Sequence, residues 1–174
     1  EHWNLVGFQT KLKEAEQARV FRTIPGLEQA RFVRFGMIHR NTFLNAPAHL
    51  DPLLRLQQRS TIRVAGQLTG VEGYVESAAT GLIAARTLAA ELAGGRPQPP
   101  PADTACGGLV RHLTERSPNG FQPANISWGL ITTPPQLASI RSRRERRERH
   151  AEHALASIAA WAATLARRSE AVGE

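Results

Sequence analysis

The chain has 174 residues, and its 22 Lys and Arg residues outnumber its 15 Asp and Glu residues, which gives a net charge of +7. This balance favours a polyanionic partner such as a nucleic acid. The single cysteine, Cys106, excludes an internal disulfide and is typical of a reducing cytoplasm. No apolar stretch approaches the roughly 18–20 residues that a membrane span needs, and no signal peptide is recognisable. We therefore predict a soluble cytoplasmic protein that meets nucleic acid and no membrane.

The first third of the chain predicts one helix and one strand. Residues 11–22 are helix formers, and the helix should end before Pro25, because the residue that precedes a proline disfavours the helical conformation. Residues 31–35 place aromatic and β-branched side chains between charges, which predicts a strand. The only methionine is Met37 and the chain begins in the middle of a pattern, so we expect the C-terminal part of a longer protein.

The most distinctive segment covers residues 61–82. It predicts a short apolar strand, a turn that carries Gly66, Gly70 and Gly73, and a helix from Tyr74 to about Leu92. Such a junction directs backbone N–H groups and the positive end of a helix dipole at one point, where an anion or an electron-rich ring can bind. Taken alone, the glycines are more typical of an ordinary junction packed by small residues.

The rest of the chain predicts a connector followed by a long helix. A proline run between residues 96 and 105 predicts an extended connector, residues 109–114 are a candidate for a short helix, and residues 121–131 are irregular and apolar. The final segment has helical periodicity and a dense run of arginines. The predicted domains are residues 1–95, the connector and packing segment at 96–134, and a basic amphipathic C-terminal helix at 135–174.

Several strings occur in an order that identifies a family. They are NLVGFQTKL at residues 4–12, RVFRTIPGLEQARFVRFGMIHRNTF at 19–43, AGQLTGVEGYVESAATGL at 65–82 and FQPANISWGL at 121–130. Together these strings resemble the folate- and FAD-dependent tRNA (uracil-5-)-methyltransferase family.

The resemblance implies an α/β fold, with this chain as the second half of a Rossmann-like FAD-binding domain followed by a helical C-terminal extension. It also implies that methylenetetrahydrofolate and reduced FAD methylate C5 of a T-loop uridine in tRNA, with NAD(P)H as the reductant. The partners would be tRNA and the N-terminal remainder of the same polypeptide. Two alternatives stay open: a related flavoprotein that modifies the wobble uridine of tRNA, and a stand-alone basic RNA-binding or interaction module without catalysis.

The flavin contacts that the resemblance implies lie in the glycine-rich segment. They are Gly66, Gln67, Gly73, Tyr74, Glu76 and Ser77. Glycine allows backbone N–H groups to approach a ring or a pyrophosphate. Glu76 could equally be an acid in the first helical turn that stabilises the helix N-terminus.

The folate site that the resemblance implies centres on His39. Its imidazole would stack on the pteridine, and Arg40 and Asn41 would supply hydrogen-bond donors. Tyr74 is a second candidate for this pocket. Without the resemblance, a lone histidine beside a strand is more often structural.

The candidate tRNA contacts are basic side chains. They are Lys11, Lys13, Arg141, Arg143, Arg144 and Arg147. The alternative is a solvated helix stabilised by i,i+4 pairs, because Arg144 precedes Glu148 and Glu145 precedes Arg149 by four residues.

The sequence predicts no catalytic residue and no metal site in this chain. The family's catalytic cysteines have surroundings that do not match those of Cys106, so we expect them upstream of Glu1. His150 and His153 have i,i+3 spacing but no third ligand nearby. We therefore expect the chain alone to be inactive.

Overall fold

A computed structural model describes residues 2–38 and 41–166. The contacts divide the chain into two compact units, Glu1–Asn41 and Thr42–Glu174. The predicted domain boundaries at residues 95 and 134 stay predictions.

The first unit is organised around one short helix, α1, which spans Glu14–Phe21. The predicted helix is thus confirmed in a shorter form. Its buried residue is Gln17, whose Nε2 donates hydrogen bonds to the carbonyl oxygens of Leu12 at 2.7 Å and Gly36 at 3.0 Å. The amide thereby connects α1 to two irregular segments of the unit.

The predicted strand at residues 31–35 is wrong. Its aromatic side chains extend a cluster instead, with ring centroids 5.9 Å apart for Phe21 and Phe32 and 5.6 Å apart for Phe32 and Phe35. The ring centroids of Phe8 and Phe21 lie 5.3 Å apart, with the rings edge to face. These residues therefore pack their rings against one another instead of forming an extended strand.

The second unit contains a β-hairpin and five α-helices in its described part. The elements are α2 (Ala46–His49), β1 (Arg55–Leu56), β2 (Arg59–Arg63), a 3₁₀ turn (Gly66–Thr69), α3 (Tyr74–Leu92), α4 (Ala105–Thr114), α5 (Pro135–Ala138) and α6 (Arg143–Ala166). β1 and β2 are antiparallel, with Arg55 opposite Arg63 and Leu56 opposite Arg59. The strand predicted at residues 61–65 therefore lies two residues earlier. The predicted helix from Tyr74 to Leu92 is confirmed at both ends.

The core of the second unit lies between α2, α3 and α4. Its buried side chains are Ala46, Leu50, Leu54, Val71, Ile83, Ala84, Leu109, Val110, Leu113 and Phe121. Two glycines let α4 approach the neighbouring backbone closely: a Cβ on Gly108 would lie 2.6 Å from the carbonyl oxygen of Leu130, and one on Gly107 would overlap the Pro101 carbonyl. α4 begins earlier than the sequence indicates, because the Thr104 side chain accepts a hydrogen bond from the N–H of Gly107 at 3.0 Å.

The long C-terminal helix is interrupted near its start. α5 and α6 are separate, and residues 167 and 168 of the predicted helix lie outside the described residues. α6 meets the proline-rich connector through polar contacts. The Nε2 of His150 lies 3.0 Å from the Asp103 carbonyl oxygen, and the indole N–H of Trp161 donates to the Gln98 carbonyl at 2.8 Å. Leu155, which apolar periodicity places on the docked face, is exposed.

The fold is a mixture of helices and a small sheet, compatible with the predicted α/β class. Within the described ranges, the only sheet is the two-stranded antiparallel hairpin. The same ranges contain no helix with the length and apolar character required to cross a bilayer.

Candidate functional site

The candidate cofactor residues lie in one continuous segment, residues 65–77, which we call the glycine junction. Gly66 has φ +71° and Gly70 has φ +97°, in the left-handed region that favours glycine. The N–H of Gly66 donates to Thr80 Oγ1 at 2.9 Å, and Thr80 Oγ1 donates in turn to the Ser77 carbonyl oxygen at 2.9 Å. Because this N–H is already bonded within the protein, Gly66 would meet a ligand through its Cα.

The start of α3 is held by Glu76. Gly73 is the N-cap residue and offers no side-chain cap, and the Glu76 carboxylate folds back over it, so that a Cβ on Gly73 would overlap the carboxylate. Glu76 Oε1 also accepts a hydrogen bond from the N–H of Ile126 at 3.2 Å. These contacts support the alternative interpretation of Glu76 as a residue that stabilises the helix start.

The outer side of the junction is open. Tyr74 is 95% exposed and Val75 is also largely exposed, while Gln67 is exposed and Ser77 is partly buried. The first N–H groups of a helix have no acceptor within it, and α3 has no side-chain cap hydrogen bond. The junction thus combines an exposed aromatic ring with an uncapped helix N-terminus.

The segment at residues 121–131 packs onto the junction, which the sequence did not predict. Val71 and Ala124 form a parallel β-bridge, with the N–H of Ala124 donating to the Gly70 carbonyl at 3.0 Å. Phe121 lies under Gly70, where a Cβ would be 2.7 Å from its ring. The presence of both strings in one family pattern was the available signal for this contact.

The β-hairpin is attached to α3 by ion pairs. Glu91 accepts hydrogen bonds from Arg63 at 2.5 Å and from Arg55 at 2.7 Å, and Arg55 also pairs with Asp51 at 2.6 Å. The hydrogen bond from Arg63 and the charges of both arginines hold the pKa of Glu91 below its ordinary value. The side chain of Arg63 is only 7% exposed, so this pair fixes the strand that leads into the junction.

The described residues do not include the centre of the candidate folate site. His39 and Arg40 lie outside the described residues. Asn41 is exposed and belongs to the first unit, whereas Tyr74 belongs to the second. The folate pocket stays a prediction.

The candidate tRNA residues are divided between the two units. Lys11 and Lys13 are exposed in the first unit. In the second unit Arg141, Arg143 and Arg144 are exposed, and Arg147 is partly buried.

Only one of the two anticipated i,i+4 ion pairs forms on α6. Arg144 Nε donates to Glu148 Oε1 at 2.8 Å, which confirms that pair. Glu145 and Arg149 make no ion pair with each other, so that part of the prediction is wrong.

Cys106 lies in the first turn of α4 rather than in the connector. It is partly buried, and this burial raises the pKa of its thiol. Because the thiolate is the nucleophilic form, Cys106 is poorly suited to attack a substrate at neutral pH.

One cluster has the residue types of a hydrolase triad without its geometry. His153 Nε2 lies 2.6 Å from Asp103 Oδ2 and 3.4 Å from Ser157 Oγ, and Ser157 Oγ also donates to Asp103 at 3.2 Å. A triad needs the serine and the carboxylate on opposite ring nitrogens, whereas both meet Nε2 here. The cluster therefore fastens α6 to the start of α4. In the part of the chain that the structure describes, no three potential metal ligands come together.

The glycine junction lies within the part of the chain that a known family model matches. The model of the family described as Glucose inhibited division protein A matches residues 1–96, and the chain belongs to this family.

The relatives are more specific in name. The proteins of Sphingopyxis alaskensis and Novosphingobium aromaticivorans are 55% and 54% identical over 142 residues, which is 81% of this chain and 31% of each relative. The protein of Rhizorhabdus wittichii is 59% identical over 129 residues, 74% of this chain and 29% of the relative. All three are named methylenetetrahydrofolate–tRNA-(uracil-5-)-methyltransferase TrmFO. The chain thus spans about three tenths of the length of the curated relatives that it matches, and the predicted resemblance is confirmed at the level of the family.

Proposed function

We propose that this chain is the C-terminal part of a flavoenzyme that methylates C5 of a T-loop uridine in tRNA. Methylenetetrahydrofolate would supply the carbon, reduced FAD would carry out the reduction and NAD(P)H would restore the flavin, in the cytoplasm. The observation that carries the proposal is 54–59% identity to methyltransferases of this name over 74–81% of the chain.

The glycine junction fits an FAD group in part. The N-terminus of α3 already holds the Glu76 carboxylate, so it suits an uncharged electron-rich part of the cofactor rather than an anion, and the exposed ring of Tyr74 can cover a planar heterocycle. The N–H of Gly66 and the carboxylate of Glu76 are engaged within the protein. We therefore assign cofactor contact to Gln67, Tyr74 and Ser77, with Gly66 and Gly73 giving close approach and Glu76 positioning the helix.

Apolar exposure supports a partner surface at the same place. Leu68, Tyr74 and Val75 are exposed large apolar side chains within eight positions of each other. Exposed apolar patches commonly mark a ligand or protein contact. The N-terminal remainder of the polypeptide and the FAD together would cover this surface, as the proposed half-domain requires.

The chemistry of the complete protein is tested on unmodified tRNA. The complete protein that contains this chain is incubated with methylenetetrahydrofolate, FAD, NADPH and a tRNA transcript, and the tRNA is digested to nucleosides. The proposal expects 5-methyluridine. A wobble-uridine derivative instead would support the related flavoprotein, and salt-sensitive tRNA binding without any modified nucleoside would support the module without catalysis.

The cofactor site is tested with Tyr74→Ala in the complete protein. Removing an exposed ring should leave the fold intact and weaken FAD binding by about 2- to 10-fold, the range of one aromatic contact. FAD affinity is measured by titration of the apoprotein, followed by flavin fluorescence. Leu92→Ala is the matched control, because Leu92 is also highly exposed but lies at the opposite end of α3. Equal FAD affinity in both variants would remove Tyr74 from the cofactor site.

A further inference from the structure

A cavity lies at the N-terminal end of α6, and its residues are far in sequence from the glycine junction. It has a volume of about 280 Å³ and is open to solvent on one side. We call it the tryptophan pocket and define it by Trp128, Thr133, Arg143, Arg146, Arg147 and His150.

The arginines of this pocket are not neutralised by carboxylates. Across residues 2–38 and 41–166, Arg143, Arg146 and Arg147 make no ion pair, whereas Arg144 on the neighbouring side of the helix pairs with Glu148. Arg146 donates to the Ile140 carbonyl oxygen at 3.1 Å, which holds its guanidinium in place without cancelling its charge. The positive end of the α6 dipole lies at the same point. The pocket therefore attracts an anion.

Trp128 forms the aromatic wall of the pocket and remains partly exposed. The guanidinium of Arg147 lies 5.5 Å from the centroid of the Trp128 ring, and the ring of His150 lies 5.5 Å away at 54°. His150 is buried and its Nε2 is 3.0 Å from the Asp103 carbonyl oxygen, so this contact holds the imidazole in place beside Trp128. Trp128 is nevertheless 44% exposed. Trp128 thus keeps exposed surface beside its contacts with Arg147 and His150, and this surface can receive a second planar group.

The combination of an open indole and unpaired guanidinium groups is the chemistry that binds nucleotides in single strands. Bases stack on aromatic side chains while arginines contact the phosphates. The volume of about 280 Å³ lies just below the range of small-ligand pockets, which begins at about 300 Å³, so the cavity suits a group no larger than one nucleotide. An acidic peptide would use the charges but has no need of the ring.

We propose that the tryptophan pocket holds one unpaired nucleotide of the tRNA substrate, with its base against Trp128 and its phosphate against Arg143 and Arg147. This inference rests on the proposed function and adds a stacking site to it. Stacking tolerates every base, so the pocket positions the tRNA and does not read its sequence. Trp128 is a residue that the arginine run alone does not indicate.

The test compares substitutions in the complete protein, with an unmodified tRNA transcript as the probe and binding measured at several salt concentrations. Trp128→Ala should weaken tRNA binding by about 5- to 100-fold, the range found for loss of one stacked base. Trp128→Phe, which retains an aromatic ring, should recover most of the affinity. Arg147→Gln should weaken binding and reduce the slope of log K against log salt by about 1.

The matched control is Arg149→Gln. It makes the same charge change on the same helix, but at an exposed side chain that does not line the pocket. It should alter tRNA binding much less than Arg147→Gln. Thermal melting of each variant separates loss of binding from loss of fold.

Three results of the tRNA titrations would overturn the proposal. They are wild-type tRNA affinity in Trp128→Ala, equal effects of Arg149→Gln and Arg147→Gln, or a loss in Trp128→Ala that Trp128→Phe does not restore. An equal loss of binding to a polyglutamate peptide would also overturn it, in favour of an acidic protein partner. The proposed function is judged separately: 5-methyluridine formation with Trp128-independent binding removes only the pocket. Trp128-dependent tRNA binding without 5-methyluridine removes only the methyltransferase assignment.

Discussion

The glycine junction and the tryptophan pocket differ in what builds them. The junction is made by backbone: left-handed glycines, an uncapped helix start and a β-bridge to Ala124. The pocket is made by side chains from α6 and from the irregular segment before it. The arginines of the hairpin that leads into the junction pair with Glu91, whereas Arg143, Arg146 and Arg147 of the pocket make no ion pair within the described residues. A backbone site needs close packing and has little tolerance for added atoms, while a side-chain site can lose single groups and keep its fold.

The largest effect is expected where the junction meets Phe121. Gly70→Ala would place a methyl group 2.7 Å from the Phe121 ring and force alanine to φ +97°. We expect the free energy of unfolding to fall by about 2–4 kcal/mol, from overpacking and left-handed strain together. Urea denaturation of the complete protein measures this change.

The control for Gly70→Ala separates its two causes. Gly120→Ala meets the same strain, at φ +76°, but has no atom within 4 Å of the added Cβ. It should cost about 1–2 kcal/mol from strain alone. Equal losses in the two variants would mean that Phe121 yields, and that the junction is less tightly packed than its backbone indicates.

An intermediate effect is expected at the ion pair between β2 and the C-terminal end of α3. Glu91→Gln leaves the nearly buried guanidinium of Arg63 without a charged partner and should lower the free energy of unfolding by about 1–3 kcal/mol at neutral pH. The stabilisation by this ion pair also depends on pH, because Arg63 lowers the pKa of Glu91. A carboxylate with a lowered pKa in the folded state adds stability above its unfolded pKa of about 4.3, and that stability is lost as pH falls through the lowered value.

The measurement is therefore a series of urea denaturations from neutral to acid pH. The difference between the wild type and Glu91→Gln should shrink once the pH falls below about 4. A difference that stays constant down to the most acid sample would exclude the proposed charge interaction.

The smallest effect is expected on α6. Glu148→Gln breaks the pair with Arg144, whose side chains are 58% and 90% exposed, and should change the free energy of unfolding by no more than about 0.5 kcal/mol. The same urea denaturation checks it. A loss as large as that of Glu91→Gln would contradict the distinction between the partly buried Arg63–Glu91 pair and the exposed Arg144–Glu148 pair.

The parts of the fold that could be predicted were those with strong local signals. α3 follows from a long run of helix formers between Gly73 and Gly94, and its bounds are confirmed. The strand at residues 31–35 was predicted from the same kind of local pattern and is wrong, because Phe32 and Phe35 pack into an aromatic cluster with Phe21. Alternation of residue types over five positions does not distinguish a strand from such packing.

The family, the α3 helix and the position of the glycine junction could be predicted, because each depends on a run of consecutive residues. Tertiary packing was needed to show that Phe121 lies under Gly70, that Gly108 admits the backbone of Leu130, and that Trp128 faces Arg147 of α6. These contacts join residues that are far apart in the chain, and their formation depends on how side-chain volumes fill the core. Local hydrogen-bond and turn preferences carry no information about that filling.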